Sequence, residues 1–190
     1  MTKSKTTRTQ IFISHVAEDR ELALRVQEYV KVCLASAHGV FCSAWQLSVG
    51  DFWVARIRKE LKSAKAVIVL LSRQALKSTW VAFETGAAWS ANKRVILLCV
   101  GGVRAAKLPR PYSDFHAIDL TTHSEHYSKI LESIMSSHVR SESELLNNEA
   151  YVKNYERRLE RAEQNLQKAL ADGLKRKVPK TPQQVRSNTA

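Results

Sequence analysis

Two uninterrupted apolar runs, "AVIVLL" at 66–71 and "VILLCV" at 95–100, constrain this chain more than any other feature. Each is strand-sized, and neither alternates apolar with polar residues as a half-exposed strand would. Both sides of each run must therefore be covered. Strands buried on both faces belong in the middle of a parallel sheet with helices packed on either side. Both runs also fall far short of the roughly 20 apolar residues that a membrane-spanning helix needs.

The surrounding sequence supplies the rest of such a fold. "QIFISH" at 10–15 reads as a strand, and "EDRELALRVQEYVKVCLAS" follows with Leu22, Val26, Val30 and Cys33 or Leu34 at helical spacing. "GVFCSA", entered from Gly39, is a second strand, and "WQLSVGDFW" is a loop into a helix that ends near "RIRKELKSA". The run at 66–71 is followed by a turn, "RQALKS", and by the helix "STWVAFETGAAW". After the run at 95–100 come a "GG" turn, the loop "LPRPY", a short strand "FHAIDL" and a helix through "SKILESIMSS". Five strands alternating with helices predict a doubly wound α/β domain, flavodoxin-like, with strand order 2-1-3-4-5.

That domain is expected over 10–137. Beyond it, "ESELLNNEAYVKNYERRLERAEQNLQKALADG" is a long charged helix in which Leu145, Asn148, Val152, Tyr155, Leu159, Ala162, Leu166 and Ala169 keep a heptad rhythm. This segment, 138–172, reads either as a short coiled coil or as one amphipathic helix lying back on the domain. Residues 173–190 contain two prolines and no periodicity, and read as a disordered basic tail.

Charge is the one compositional extreme, a formal net of +12 over 190 residues. Eight of those twelve charges sit in two acid-free end segments, the arm at 1–9 (Lys3, Lys5, Arg8) and the tail from 173 (Lys175, Arg176, Lys177, Lys180, Arg186). Basic ends of this kind are usually solvated, which makes nucleic acid an unexpected partner. The polar start "MTKSKTTRTQ" does not resemble a secretory signal, and Cys33, Cys42 and Cys99 form neither an even set nor a CxxC pair. A reducing, cytoplasmic setting and no membrane association are the expectation.

One acid stands out. In "STWVAFETGAAW" Glu84 is surrounded by small, aromatic or apolar residues, and at about 100° per residue it shares a stripe with Trp80, Phe83, Ala87 and Ala91. A carboxylate beside apolar rings loses hydration and needs a partner, so it is either a satisfied structural acid, for instance paired with Arg73 or Lys77, or a site for a cationic ligand. In an open parallel sheet, ligands bind beyond the carboxyl ends of the strands. That rule nominates "SHVAED", "SAWQLSVGDFW" and "SRQALKSTWVAFE", and it brings Ser14, His15, Trp80 and Glu84 towards one cleft, with Trp45, Phe52 and Trp53 available as walls.

Other chemistries are poorly supported. GxxxxGK[ST], GxGxxG and GxSxG are all missing. Ser14, His15 and Glu84 make a poor triad, since neighbours on a strand project to opposite sides. His123 and His126 have no third metal ligand at a useful spacing, and no metal or cofactor is expected.

Four pieces taken in order, "IFISHVAEDRELA", "GVFCSAWQLSVGDFW", "SAKAVIVLLS" and "STWVAFETGAAW", make residues 10–137 resemble a Toll/interleukin-1 receptor (TIR) domain, particularly its bacterial, NAD-cleaving members. The resemblance implies a flavodoxin-like fold and cleavage of the nicotinamide–ribose bond of NAD+, which is substrate rather than cofactor, in antiviral defence by NAD depletion or by an ADP-ribose-derived signal. It implies a catalytic glutamate four residues after a tryptophan, here Glu84 and Trp80, and a substrate pocket lined by Ser14, His15, Val16, Trp45, Gln46 and Phe52. It further implies activity as a homo-oligomer and a partner effector or sensor protein, so deleting 142–172 is expected to lower activity at fixed concentration. The chain departs from the pattern at Ser43, where many members carry an acid, at Gln46, near which they carry a base, and at Val16 and Ala17, where arginines are frequent. The alternative is a non-catalytic TIR scaffold, although "SAWQLSVGD" lacks the Arg-Asp and Pro-Gly pattern that animal adaptors show in this loop. Another nucleotide-binding role is a third reading.

Overall fold

The computed structural model describes residues 11–33, 39–43, 51–120 and 149–175. Five strands, β1 (Ile11–Ser14), β2 (Val40–Cys42), β3 (Ala66–Leu71), β4 (Arg94–Cys99) and β5 (His116–Asp119), form one sheet in the order β2-β1-β3-β4-β5. Every neighbouring pair is parallel, with Ile11 beside both Val40 and Ala66, and Ala66 beside Arg94. This is the expected flavodoxin-like arrangement. Among the described residues the connections carry helices α1 (Arg20–Cys33), α2 (Asp51–Ser63) and α3 (Thr79–Ser90), and a fourth helix, α4 (Glu149–Lys175), follows β5 in the chain.

The apolar runs divide residue by residue between two cores, because successive side chains on a strand point to opposite faces. Ile11, Ile13, Ile68, Leu70, Ile96 and Leu98 face one way and pack with Ala23, Val26, Tyr29 and Val30 of α1. Phe12, Val67, Val69, Leu71, Leu97 and Cys99 face the other way and meet Ile57 and Leu61 of α2 and Val81 and Ala88 of α3. Covering each such aliphatic side chain contributes on the order of 1.5–3 kcal/mol, which neither face could supply without its helices.

The long C-terminal helix joins the first of these cores. Ala162, Leu166 and Leu170 are buried, and Tyr155 and Leu159 pack beside them, so α4 lies back on the domain against α1. The expected seam holds from Tyr155 to Leu166. At the next step Leu170 is buried in place of Ala169, as an ordinary helix of 3.6 residues per turn drifts off a strict heptad. The last helix runs through Gly173 to Lys175, past the end expected at 172; the expected helix through "SKILESIMSS", the arm at 1–9 and the rest of the expected 173–190 tail lie outside the described residues.

Two local devices shape the carboxyl edge of the sheet. Ser78 caps α3, its hydroxyl accepting from the Val81 N–H at 3.2 Å. The chain leaves β4 through Gly101 and Gly102, both at positive φ (61° and 83°), a conformation that side chains disfavour. Asp119 then fixes the following loop, accepting from the Ala105 N–H at 2.6 Å and pairing with Arg104 at 3.1 Å.

Candidate functional site

The carboxyl ends of β1 and β2 and the inner face of α3 converge on Glu84. The buried positions of α3 are Val81, Glu84, Thr85 and Ala88, a stripe at i, i+3, i+4 and i+7. The acid therefore occupies the centre of the core-facing side and has no exposed surface. The stripe expected from the sequence was centred one residue too far round the helix. Phe83 is 59% exposed and does not wall the acid directly. It packs instead on the Trp80 ring, with centroids 5.6 Å apart.

Trp80, one turn before the acid, donates its indole N–H to Glu84 Oε1 at 2.8 Å. Ser14, the last residue of β1, donates its hydroxyl to Glu84 Oε2. Ser43, immediately after β2, lies with its hydroxyl 3.5 Å from the same oxygen and 3.1 Å from the Ile13 carbonyl. Three neutral donors surround the carboxylate, and among the described residues no cation pairs with it. Arg73 and Lys77 do not play the structural part considered for them. Burial pushes the Glu84 carboxyl up to about 7, while the bonds from Ser14, Trp80 and Ser43 pull in the opposite direction.

His15, the next residue after Ser14, is buried, and its Nδ1 has no hydrogen-bond partner. Burial lowers its pKa to about 4, with the Ile13 backbone opposing and the Arg20 charge assisting, so the ring is neutral at ordinary pH. Among the described residues no hydrogen bond links His15 to Ser14 or Glu84, which leaves no serine triad.

Of the sequence-predicted residues, Ser14, Trp80 and Glu84 are brought into direct contact, and His15 is adjacent in the chain. Trp45 and Gln46 lie outside the described residues, as do His123 and His126. Phe52 falls in the first turn of α2, but its side chain is outside them too. In the sequence, Ser43 stands out only as a departure from the family pattern. A single serine in "FCSA" carries no periodic or motif signal, and only the pairing of β1 with β2 brings it to the acid. Among the described residues no group of three or more His, Cys, Asp or Glu side chains is placed to hold a metal. The three cysteines are free, and burial raises each thiol to about 12.

A family profile described as TIR domain matches residues 11–134, about two thirds of the chain and all five strands. The chain belongs to the TIR family. No curated protein matches it significantly. In this TIR domain the acid cluster lies where open parallel sheets bind ligands, at the strand ends flanking the reversal of order between β1 and β3. The family spans signalling modules and NAD-cleaving enzymes, so membership narrows the function without choosing between them. Among the described residues no helix is long and apolar enough to cross a membrane.

Proposed function

We propose that this TIR domain cleaves the nicotinamide–ribose bond of NAD+, with Glu84 as its catalytic carboxylate. The observation that carries the reading is a fully buried acid at the ligand-binding edge, held by donors and, among the described residues, matched by no cation. Burying such a group without a countercharge costs stability, which is the arrangement expected of a site reserved for a cationic ligand.

The chemistry needs little else. Nicotinamide in NAD+ is already a cationic leaving group, so the C–N bond can break with its electron pair passing to the ring nitrogen, and no acid has to protonate it. Positive charge then develops on the ribosyl carbon. A carboxylate in a site of low effective dielectric stabilises that charge more than one in bulk water. Ser14, Ser43 and Trp80 are neutral donors of the same kind as the ribose hydroxyls. Substrate therefore reaches the carboxylate by exchanging its own hydroxyls for one or more of them. Attack by water gives ADP-ribose, and attack by a nucleophile within the same molecule gives a cyclic product. The family resemblance, rather than a contact in the fold, is what supports His15, Trp45, Gln46 and Phe52 as further substrate-binding residues.

This reading places the protein among NAD-consuming defence or signalling enzymes that act as homo-oligomers. Its test is incubation of purified protein with NAD+ across a concentration series, with chromatography of nicotinamide and the ribosyl products. Specific activity should rise with protein concentration, and the rate should climb as pH passes through about 7, where Glu84 ionises. No nicotinamide at any concentration or pH would favour the non-catalytic scaffold.

A further inference from the structure

Ser43 holds one hydroxyl proton between two acceptors. Its Oγ is 3.1 Å from Ile13 O and 3.5 Å from Glu84 Oε2, and the residue is fully buried. The Ile13 carbonyl does not depend on that hydroxyl, because it also accepts from the Ser43 N–H at 2.9 Å, a bond that prolongs the pairing of β1 with β2. The hydroxyl can turn away from Ile13 without leaving a buried acceptor unsatisfied.

The carboxylate sets the direction. The Trp80 indole can only donate, so Oε1 must remain an acceptor in both protonation states. The Glu84 proton, when present, therefore sits on Oε2, the oxygen that Ser14 and Ser43 share. We propose that Ser43 is a positioning residue whose hydroxyl reverses with the ionisation of Glu84: it accepts from the Oε2 proton while donating to Ile13 O, and turns to donate to Oε2 once that proton has left. No bond is made or broken beyond the transfer of the Glu84 proton to solvent. The hydroxyl keeps Oε2 fixed in both states, so ionisation does not swing the carboxylate out of the place where a ribose would meet it.

Ser14 shares Oε2 and donates to it by the shorter bond, so the two hydroxyls hold that oxygen together; among the other described residues near Glu84 none competes for the role. Thr85 spends its hydroxyl on Val81 O at 2.7 Å. His15 is neutral above about pH 4, and Arg20 lies at the start of α1 on an exposed position. From α2, Arg56 is held over the Phe41 ring.

The effect on turnover rests on the proposed NAD+ cleavage, but the coupling of Ser43 to Glu84 does not, and the test separates them. Full-length wild type, Ser43→Ala and Ser43→Thr are titrated by carbon NMR of Glu84 Cδ, assigned by its loss in Glu84→Gln, and nicotinamide release is followed from pH 5.5 to 8.5. Losing a donor to the charged form should raise the midpoint in Ser43→Ala. The rate relative to wild type should fall about fivefold near pH 6 and recover towards wild type by pH 8.5, with Thr restoring both. An unmoved midpoint, with rates lowered equally at every pH or not at all, would overturn the proposal. A displaced midpoint without nicotinamide release from any protein would uphold the role of Ser43 and sink the NAD+ reading instead. If Ser43→Ala does not fold, Ser43→Cys, a weaker donor of similar size, should show a smaller displacement in the same direction, and none would overturn the proposal.

Discussion

Glu84 carries its burial as a penalty that depends on pH. Its carboxyl titrates at about 7 in the folded chain against an ordinary 4.5, so between those values the native state binds more protons than the unfolded one. Stability is therefore unaffected by this group below about 4.5 and falls as pH rises through 7, by at most about 3 kcal/mol at 1.36 kcal/mol per unit. Glu84→Gln removes the charge, and its amide can donate to the hydroxyls of Ser14 and Ser43 while its oxygen accepts from Trp80. Thermal unfolding should show the variant more stable than wild type at pH 8 and nearly equal to it at pH 5. His15, whose pKa is depressed in the fold, opposes stability at acid pH in both proteins and cancels in the comparison. Equal melting temperatures at both pH values would mean that the acid is not strained. Much of this site was legible: an i, i+4 spacing predicted that Trp80 would stand beside Glu84, and the end of a buried strand predicted Ser14. Phe83 was misplaced because helical periodicity fixes a stripe only to within about one residue, and the hydrophobicity of α3 is too even around its circumference to choose the inward side.

At the scale of elements, α4 is where the sequence left two readings open, and contact with α1 decides between them. A heptad and an amphipathic surface helix share most of their apolar positions over three turns, and only Leu170 against Ala169 separates the two periods. The face that a coiled-coil partner would need is buried within the same chain. Leu166 is fully buried there, so Leu166→Ala should destabilise the domain by about 2–4 kcal/mol in denaturant unfolding. A change below about 0.5 kcal/mol would show that α4 is not held on α1 in solution. The same packing makes deletion of 142–172 a poor probe of self-association. It would uncover the side of α1 against which α4 packs as well as removing Ala162, Leu166 and Leu170 from the core, so lost activity could follow from lost stability. The dependence of activity on concentration in the intact chain is the better measure.

The whole molecule follows from the two apolar runs that occupy β3 and β4. Strands buried on both faces require two helical layers, the alternation of side chains distributes them between two cores, and the crossover order β2-β1-β3-β4-β5 puts the ends of β1 and β3 side by side. This much was readable because it depends on period and order alone. What brings Ser43 to Glu84 is a register, Ile13 beside Cys42, and register is a property of the assembled sheet rather than of either segment. The fold thus buries one carboxylate, Glu84, against its own stability. The most direct measurement is nicotinamide release from NAD+ by wild type and Glu84→Gln, side by side at pH 8 and at a concentration where the wild type is active. The variant should fold, melt higher and lose activity by about a hundredfold or more. Release at the wild-type rate from a folded Glu84→Gln protein would contradict Glu84 as the catalytic carboxylate.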